Sequence, residues 1–313
     1  MHSHLISNAV SSSDAVTVRV PATSANCGPG FDCLGLALSL HNEITLKIGD
    51  SDALQVAGEG VFELQNNSQT IAHHAAHRVF KALSISISGV QLSLKNQIPL
   101  SRGLGSSSAA IVGGLVAANA WAQKNRGLEL SKENLLDLAT EIEGHPDNVA
   151  PALLGGFVVS ARNENGAVAS IQLPIQKFPR FAVWIPETEL ATKVARGVLP
   201  ESYSRADAVF NLSRSALLVA ALATNDFEAL REALRDKIHQ DFRAPLVPAF
   251  EEISRAALEN GAFGVTLSGA GPSILAWLPE GTGAIDAMKN AAFEAKVKGR
   301  VVELEVDELG CTT

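Results

Sequence analysis

Cysteine is scarce in this chain, with 3 in 313 residues, at positions 27, 33 and 311. An odd number at unrelated spacings gives neither a disulfide framework nor a zinc-ligand repeat, so reduced thiols in a cytoplasmic protein are expected. Basic excess is missing too. Lys and Arg number 25 against 33 Asp and Glu, a formal net charge of −8, which argues against a broad surface for DNA or RNA. An anionic ligand must then be met locally, by single Arg or Lys side chains, backbone N–H groups or a bound Mg²⁺. No apolar run approaches the ~18–20 residues of a membrane span, so no membrane partner is expected. The opening MHSHLISNAVSSSD lacks the basic and apolar segments of a signal peptide and reads as a polar extension over 1–14. Internal repeats are absent, and low complexity is excluded. The 25 Gly and 13 Pro sit in a chain that is 46% hydrophobic and 19% charged, the composition of a well-packed globule of one large or two ordinary domains.

What is present begins with strand-like alternation in VTVRVPAT at 16–23, which Pro21 is expected to end. The apolar FDCLGLALSL precedes a second alternating stretch, EITLKI. Apolar spacing predicts a helix over 70–83, and GVQLSLKNQIP returns to strand period. Residues 106–123 are small and apolar nearly all round, as in a helix buried against a sheet. SKENLLDLATEIEG is a further helix, with Ser131 and Asn134 as a partial capping box. GGFVVSA and FAVWIP read as strands, and helices are expected over 206–224, 226–239 and 247–260. The pattern restarts near 160–175, which places a domain boundary there.

Four segments carry chemistry. PLSRGLGSSSAA, from Pro99 to Ala110, lies between a strand and a helix, the arrangement that aims backbone N–H groups at an anion. It is not a Walker A loop, because the required lysine is absent. Ser106, Ser107 and Ser108 can cap the helix while offering hydroxyls to phosphate or Mg²⁺. The helix dipole favours an anion by only ~0.3–1 kcal/mol, or ~2 when partly buried, too little for a triphosphate, so a metal is implied. PATSANCGPGFDCLGLAL holds Asn26 and Asp32 on a Gly/Pro-constrained turn, a place for a carboxylate that meets an ammonium group or a sugar hydroxyl. EGHPDNVAP packs Glu143, His145, Asp147 and Asn148 into six residues, with hard oxygen donors for Mg²⁺ and groups able to orient a hydroxyl nucleophile. SGAGP at 268–272 is a second glycine turn whose N–H groups could form another anion nest.

Together and in this order, the four segments resemble the GHMP kinase superfamily and, within it, the homoserine kinase family. The resemblance runs from about Val16 to the last strands. It implies an α+β, two-domain GHMP-kinase fold. An N-terminal α/β nucleotide domain over 15–168 has a left-handed βαβ crossover, and a ferredoxin-like α+β domain spans 169–313, with the active site between them. It implies ATP as co-substrate, held by Pro99, Leu100, Ser101, Arg102, Gly103, Leu104, Gly105, Ser106, Ser107, Ser108 and Ala109. Mg²⁺ is expected on Ser107 and Glu143, with Glu141 or Asp137 as alternatives for the acid. For L-homoserine, Asp32 takes the ammonium beside Asn26, while Arg196, of a Thr192–Arg196 motif, and Arg243 take the carboxylate, as suits a planar fork. His145, Asn148 and Gly269 complete the pocket. Asp147 stands where some relatives place a base, although a loose phosphoryl-transfer transition state needs little base catalysis. The catalytic group is thus Asn148, Asp147 and His145. The resemblance also implies a cytoplasmic homodimer. One departure is Thr70-Ile71 where the family has an Asn-Leu pair near adenine, so the adenine contacts stay open. His73 and His77, four apart on that helix, could chelate a metal or simply form a helix face.

Overall fold

The computed structural model describes residues 14–313, so the polar extension, apart from Asp14, lies outside the described residues. The first half runs β1 (Val16–Ala25), β2 (Leu34–Gly49), β3 (Ala53–Gly58), α1 (Val61–Leu64), α2 (Ile71–Ala82), β4 (Gly89–Asn96), α3 (Ser106–Arg126), α4 (Lys132–Glu143), α5 (Pro146–Leu154), β5 (Phe157–Arg162) and β6 (Val168–Gln172). These strands form one 6-stranded sheet in the order β3-β4-β2-β5-β6, with β1 also paired to β2. The 16 residues of β2 make this possible: residues 43–49 pair β4, residues 34–36 pair β5, and β1 runs antiparallel along most of its length. β3 and β4 are parallel neighbours joined through α1 and α2.

Pro21 does not end β1 as expected. The strand continues to Ala25 through a register shift between Pro21 and Ala22, the kind of irregularity where a missing N–H is tolerated. The small residues of α3 are explained by crowding. A Cβ on Gly113 would lie 2.3 Å from Ile44 Cδ1 of the sheet, and one on Gly114 would lie 2.3 Å from the Ala72 carbonyl of α2.

The second half runs β7 (Arg180–Pro186), α6 (Thr192–Gly197), α7 (Arg205–Thr224), α8 (Leu230–Ala233), α9 (Gln240–Arg243), α10 (Phe250–Glu259), β8 (Gly264–Leu267), β9 (Ile274–Leu278), α11 (Ala284–Glu294) and β10 (Gly299–Leu304). Its antiparallel sheet has the order β10-β7-β9-β8. With α10 before β8 and α11 before β10, this is the split β-α-β architecture of ferredoxin-like domains, and α6 to α9 form an excursion from it. Side chains alternate across the sheet as strand period requires. Phe181, Val183, Leu275 and Trp277 join the core shared with the first sheet, while Ala182, Trp184, Ile274 and Ala276 pack in a second core with α10 and α11.

Three expectations change here. The helix expected over 226–239 is only a short turn and α8, because Asp236 accepts N–H bonds from Ile238, His239 and Gln240 and turns the chain. PDNVAP, whose residues taken singly suggest a capped loop, opens α5, with Pro146 at the first helical position where a missing N–H costs nothing. And α7 is, by length and composition, apolar enough to cross a membrane, with mean hydropathy 1.3; averaging over Arg214 hides the break in its apolar run. That helix docks through Asn211 and Ser215, which donate to the Pro29 carbonyl, and through buried Leu218 and Leu222.

After β10 the chain returns to the first sheet. Ser39 N–H donates to the Glu305 carbonyl, Asp307 N–H to the Ala37 carbonyl, and Arg19 and Thr312 exchange backbone bonds of 2.8 and 3.0 Å. Asp307 Oδ2 also meets His41 Nε2 at 2.6 Å. Burial opposes the Asp307 charge, but His41 and the Gly310 and Leu309 N–H groups outweigh it and hold the carboxyl below its usual range.

Candidate active site

A cleft of about 510 Å³ runs between the two halves of the fold. At one end it is lined by Leu64, Asn67, Thr70, Ile71 and Leu94, in the middle by Ser101, Arg102, Gly103, Gly105, Ser106, Ser107 and Glu143, and at the other end by Asp32, His145, Asn148, Arg196 and Arg243; Leu104 of the loop points into the core instead.

The middle section is built by the glycine-rich loop. Asn42 Oδ1 accepts the Gln97 and Ile98 N–H groups at 2.8 and 3.0 Å and fixes the chain just before Pro99. Ser101, Gly103 and Gly105 all have positive φ, of 53°, 72° and 69°. Gly105 is required sterically as well, since a Cβ there would lie 1.9 Å from Thr23 Oγ1. Gly105 is also the N-cap of α3, and no side chain caps that helix. The expected serine cap is therefore replaced. Ser107 and Ser108 hydroxyls donate instead to Glu143 Oε1, at 2.9 and 2.8 Å. The uncapped N–H groups of a 21-residue helix are thereby left facing the cleft, an anion-binding end.

The three acids considered for a metal separate clearly. Glu143 lines the cleft beside the two serines. Glu141 is paired with Arg78, and Asp137 accepts the Val168 N–H at 2.8 Å. Arg102 turns away from the loop mouth. Its guanidinium donates to the carbonyls of Leu100 and Glu187 and pairs with Glu189 at 2.7 Å.

Three of the four N–H groups of SGAGP are taken up within the protein. The N–H groups of Ser268, Gly269 and Gly271 bond to Ser273, Ala25 and Ser268 carbonyls. The turn instead joins the two ends of the cleft: Ser268 Oγ donates to the Gly103 carbonyl at 2.7 Å, and the Gly269 carbonyl accepts from Asn26 Nδ2 and Arg243.

At the far end, Asn26 and Asp32 sit on a turn with left-handed φ at Asn26, Cys27 and Asp32. Asn26 Oδ1 accepts the Asp32 N–H at 3.0 Å, which presents the carboxylate to α6. There Arg196 grips it with both guanidinium nitrogens, at 2.6 and 3.1 Å. Burial works against the Arg196 charge, but the Asp32 bonds and charge overcome it and raise its affinity for the proton. Thr192, at the start of α6, also lines the cleft. Arg243 is 1% exposed and bonds only to neutral acceptors: the Ala195 and Gly269 carbonyls and His239 Nδ1. Among the described residues no carboxylate forms an ion pair with it. Burial and then the Arg196 charge push its pKa down.

Between loop and acid, α5 supplies three groups. Asn148 Oδ1 accepts from Thr23 Oγ1 at 2.7 Å, beside Gly105. Asp147 is 1% exposed and its carboxylate bonds His145 Nδ1. Burial alone would lower the His145 pKa, but the Asp147 bond and charge raise it. Ligand atoms of Asp32, His145 and Asp147 lie within 4.8 Å of one another. All three already have partners, Asp32 in Arg196 and His145 and Asp147 in each other, which suits an acceptor pocket better than a cation. The nearby Cys33 thiol is pushed up to about 11 by burial and by Asp147 and Asp32, so it is no nucleophile.

His73 and His77 are not brought together as ligands. His73 accepts the Thr70 N–H and meets the Ala53 carbonyl through its other nitrogen, and His77 pairs with Asp52 at 2.9 Å. They bind β3 to α2. Asn42, Leu64, Asn67, Leu94 and Asn96 of the cleft went unread in the sequence, because none belongs to a motif with its own spacing.

The GHMP kinases N terminal domain family matches residues 70–156 and the GHMP kinases C terminal family matches 218–295. The chain is 48% identical to a homoserine kinase of Desulfitobacterium hafniense, over 83% of this chain and 86% of that one. It is 44% identical to one of Moorella thermoacetica, over 92% and 96%. It also superposes on the crystal structure of homoserine kinase from Cytophaga hutchinsonii with a TM-score of 0.85 and 30% identity, covering 96% of this chain and 98% of that one.

Proposed function

The chain belongs to the homoserine kinase family of the GHMP kinases, and from that membership we propose that it transfers the γ-phosphoryl group of ATP to the side-chain hydroxyl of L-homoserine, giving O-phospho-L-homoserine. The observation that carries the substrate choice is buried Arg243, a cation in no ion pair among the described residues, beside the Asp32–Arg196 pair. A buried charge calls for a counter-charge, and the carboxylate of an amino acid supplies one.

The zwitterion exchanges partners with the empty site. Its ammonium takes Asp32, and its carboxylate is shared by Arg196 and Arg243, so each charged group of the site meets an opposite charge. That orientation directs the side-chain hydroxyl toward Asn148 and His145, next to the loop. The N–H groups at the start of α3 receive the phosphates. Ser107 and Glu143 fit Mg²⁺, since they offer hard oxygens already converging on one point. When bound, the metal supplies neutralisation of phosphate charge. Asp147 holds His145 in place and favours its protonated form, so its contribution is orientation and charge, consistent with a loose transition state.

Adenine belongs at the end lined by Leu64, Asn67, Thr70 and Ile71. The first sheet continues through β6 to Gln172 and the second begins at Arg180, which favours a two-domain division over residues 173–179, a few residues beyond the expected 168–169. Family membership further points to a cytoplasmic homodimer, and sedimentation velocity tests the oligomeric state. The main test is ADP release with L-homoserine against homologous amino alcohols, with and without Mg²⁺. Mg²⁺-dependent release selective for homoserine is expected; no homoserine-dependent turnover refutes the reading.

A further inference from the structure

The two arginines that receive a carboxylate pose an electrostatic problem. They must converge on one ligand, yet their like charges repel, and only Arg196 has an anion against it. A third element lies beside both. The Cζ of Arg196 is 5.4 Å from the centroid of the Phe31 ring, and that of Arg243 is 5.3 Å from the same centroid. Both distances fall within the range where an aromatic face attracts a cation. His239, which bonds Arg243, also stands beside this ring, at 5.5 Å and tilted by 32°.

Phe31 is firmly based. It sits in the turn that presents Asp32, where Gly30 N–H bonds the Asn26 carbonyl at 2.9 Å and the Pro29 carbonyl accepts from Asn211 and Ser215 of α7. The ring therefore does not follow the arginines; they settle against it.

We infer that Phe31 is a positioning residue that holds Arg196 and Arg243 side by side for the substrate carboxylate, through the negative face of its ring. The inference rests on the homoserine kinase reading and deepens it, because it assigns carboxylate recognition to three side chains rather than two. Phe31 touches no substrate in this scheme. A leucine would fill similar space yet offer neither cation an attractive face.

The test is steady-state kinetics of wild type, Phe31→Leu, and protein carrying di- or trifluorophenylalanine at position 31. Fluorination keeps the shape while draining the ring face, so it reads the interaction even if Phe31→Leu does not fold. Phe31→Leu is expected to raise KM for L-homoserine about tenfold or more, with KM for ATP within about twofold of wild type. The fluorinated series is expected to raise homoserine KM stepwise. A homoserine KM that stays flat across the fluorinated series, or an ATP KM that rises in step with it, overturns the inference alone. Absence of homoserine turnover by the wild-type protein overturns the underlying reading and the inference with it.

Discussion

Replacing Arg243 by leucine removes a buried cation that bonds the Ala195 and Gly269 carbonyls and His239 Nδ1. In the ligand-free protein the effects oppose each other. Neutral acceptors lose a donor, at about 1–3 kcal/mol for each group left unsatisfied, while a buried charge lacking an ion-pair partner disappears. The melting temperature should therefore move little. Homoserine binding should suffer much more, because losing one partner of a buried charged pair costs about 2–5 kcal/mol, or roughly 30- to several-thousandfold in Kd. Thermal denaturation with ligand separates the two. Homoserine at a hundred times the wild-type Kd stabilises that protein by about 2.7 kcal/mol, roughly 5 °C for a chain of this size. With Kd raised about a hundredfold, the same concentration stabilises Arg243→Leu by only ~0.4 kcal/mol, under about 1 °C. Asp147→Asn, which leaves the arginines in place, should keep most of the shift and lose less activity. A full homoserine shift in Arg243→Leu, or complete loss of turnover in folded, homoserine-binding Asp147→Asn, would refute this account.

Glu143→Gln should raise the Mg²⁺ concentration needed for half-maximal activity at least about tenfold, while Glu141→Gln should leave it within about twofold; a metal titration of both variants decides. Gly105→Ala forces a Cβ to within 1.9 Å of Thr23 Oγ1 at φ 69°, so turnover and thermal stability should both fall, the latter by about 2 kcal/mol or more; an unchanged melting curve contradicts the loop geometry. The His145 ring should titrate above its ordinary 6.5 in the folded protein, and nuclear magnetic resonance should show the midpoint drop in Asp147→Asn. Since that raised value favours the protonated form, the stabilisation is fully present below pH 6.5 and fades as pH rises through the folded midpoint; stability of wild type and Asp147→Asn should therefore converge at alkaline pH.

Local period was enough to read most strands and helices, including α3 with its small residues. It failed where a side chain redirects the backbone. The Asp236 carboxylate collects three N–H groups and cancels a helix that the apolar spacing of 226–239 supports. α5 was hidden by its two prolines. Pro151 cannot donate to the Asp147 carbonyl, and that carbonyl packs against Gly35 of β2, where a Cβ would sit 1.9 Å away. The donor half of the site was legible because its glycines and serines lie in one run. The acceptor half joins Asp32 to Arg196, 164 positions apart, and no local pattern encodes that pairing; family resemblance assigned the two residues to one substrate but not to each other. Nothing in the sequence marked Phe31, whose role depends on two distant cations meeting over one ring.

The last residues of the chain lie along β1 and β2, near the first residues of the fold. During synthesis, then, the first sheet emerges from the ribosome well before the segment from Glu305 to Thr312 that pairs with it. The second half is correspondingly tethered at both its entry and its exit. Any opening of the cleft must therefore bend both connections together. Removing the tail beyond Leu304 should accordingly injure the half of the molecule farthest from it in sequence.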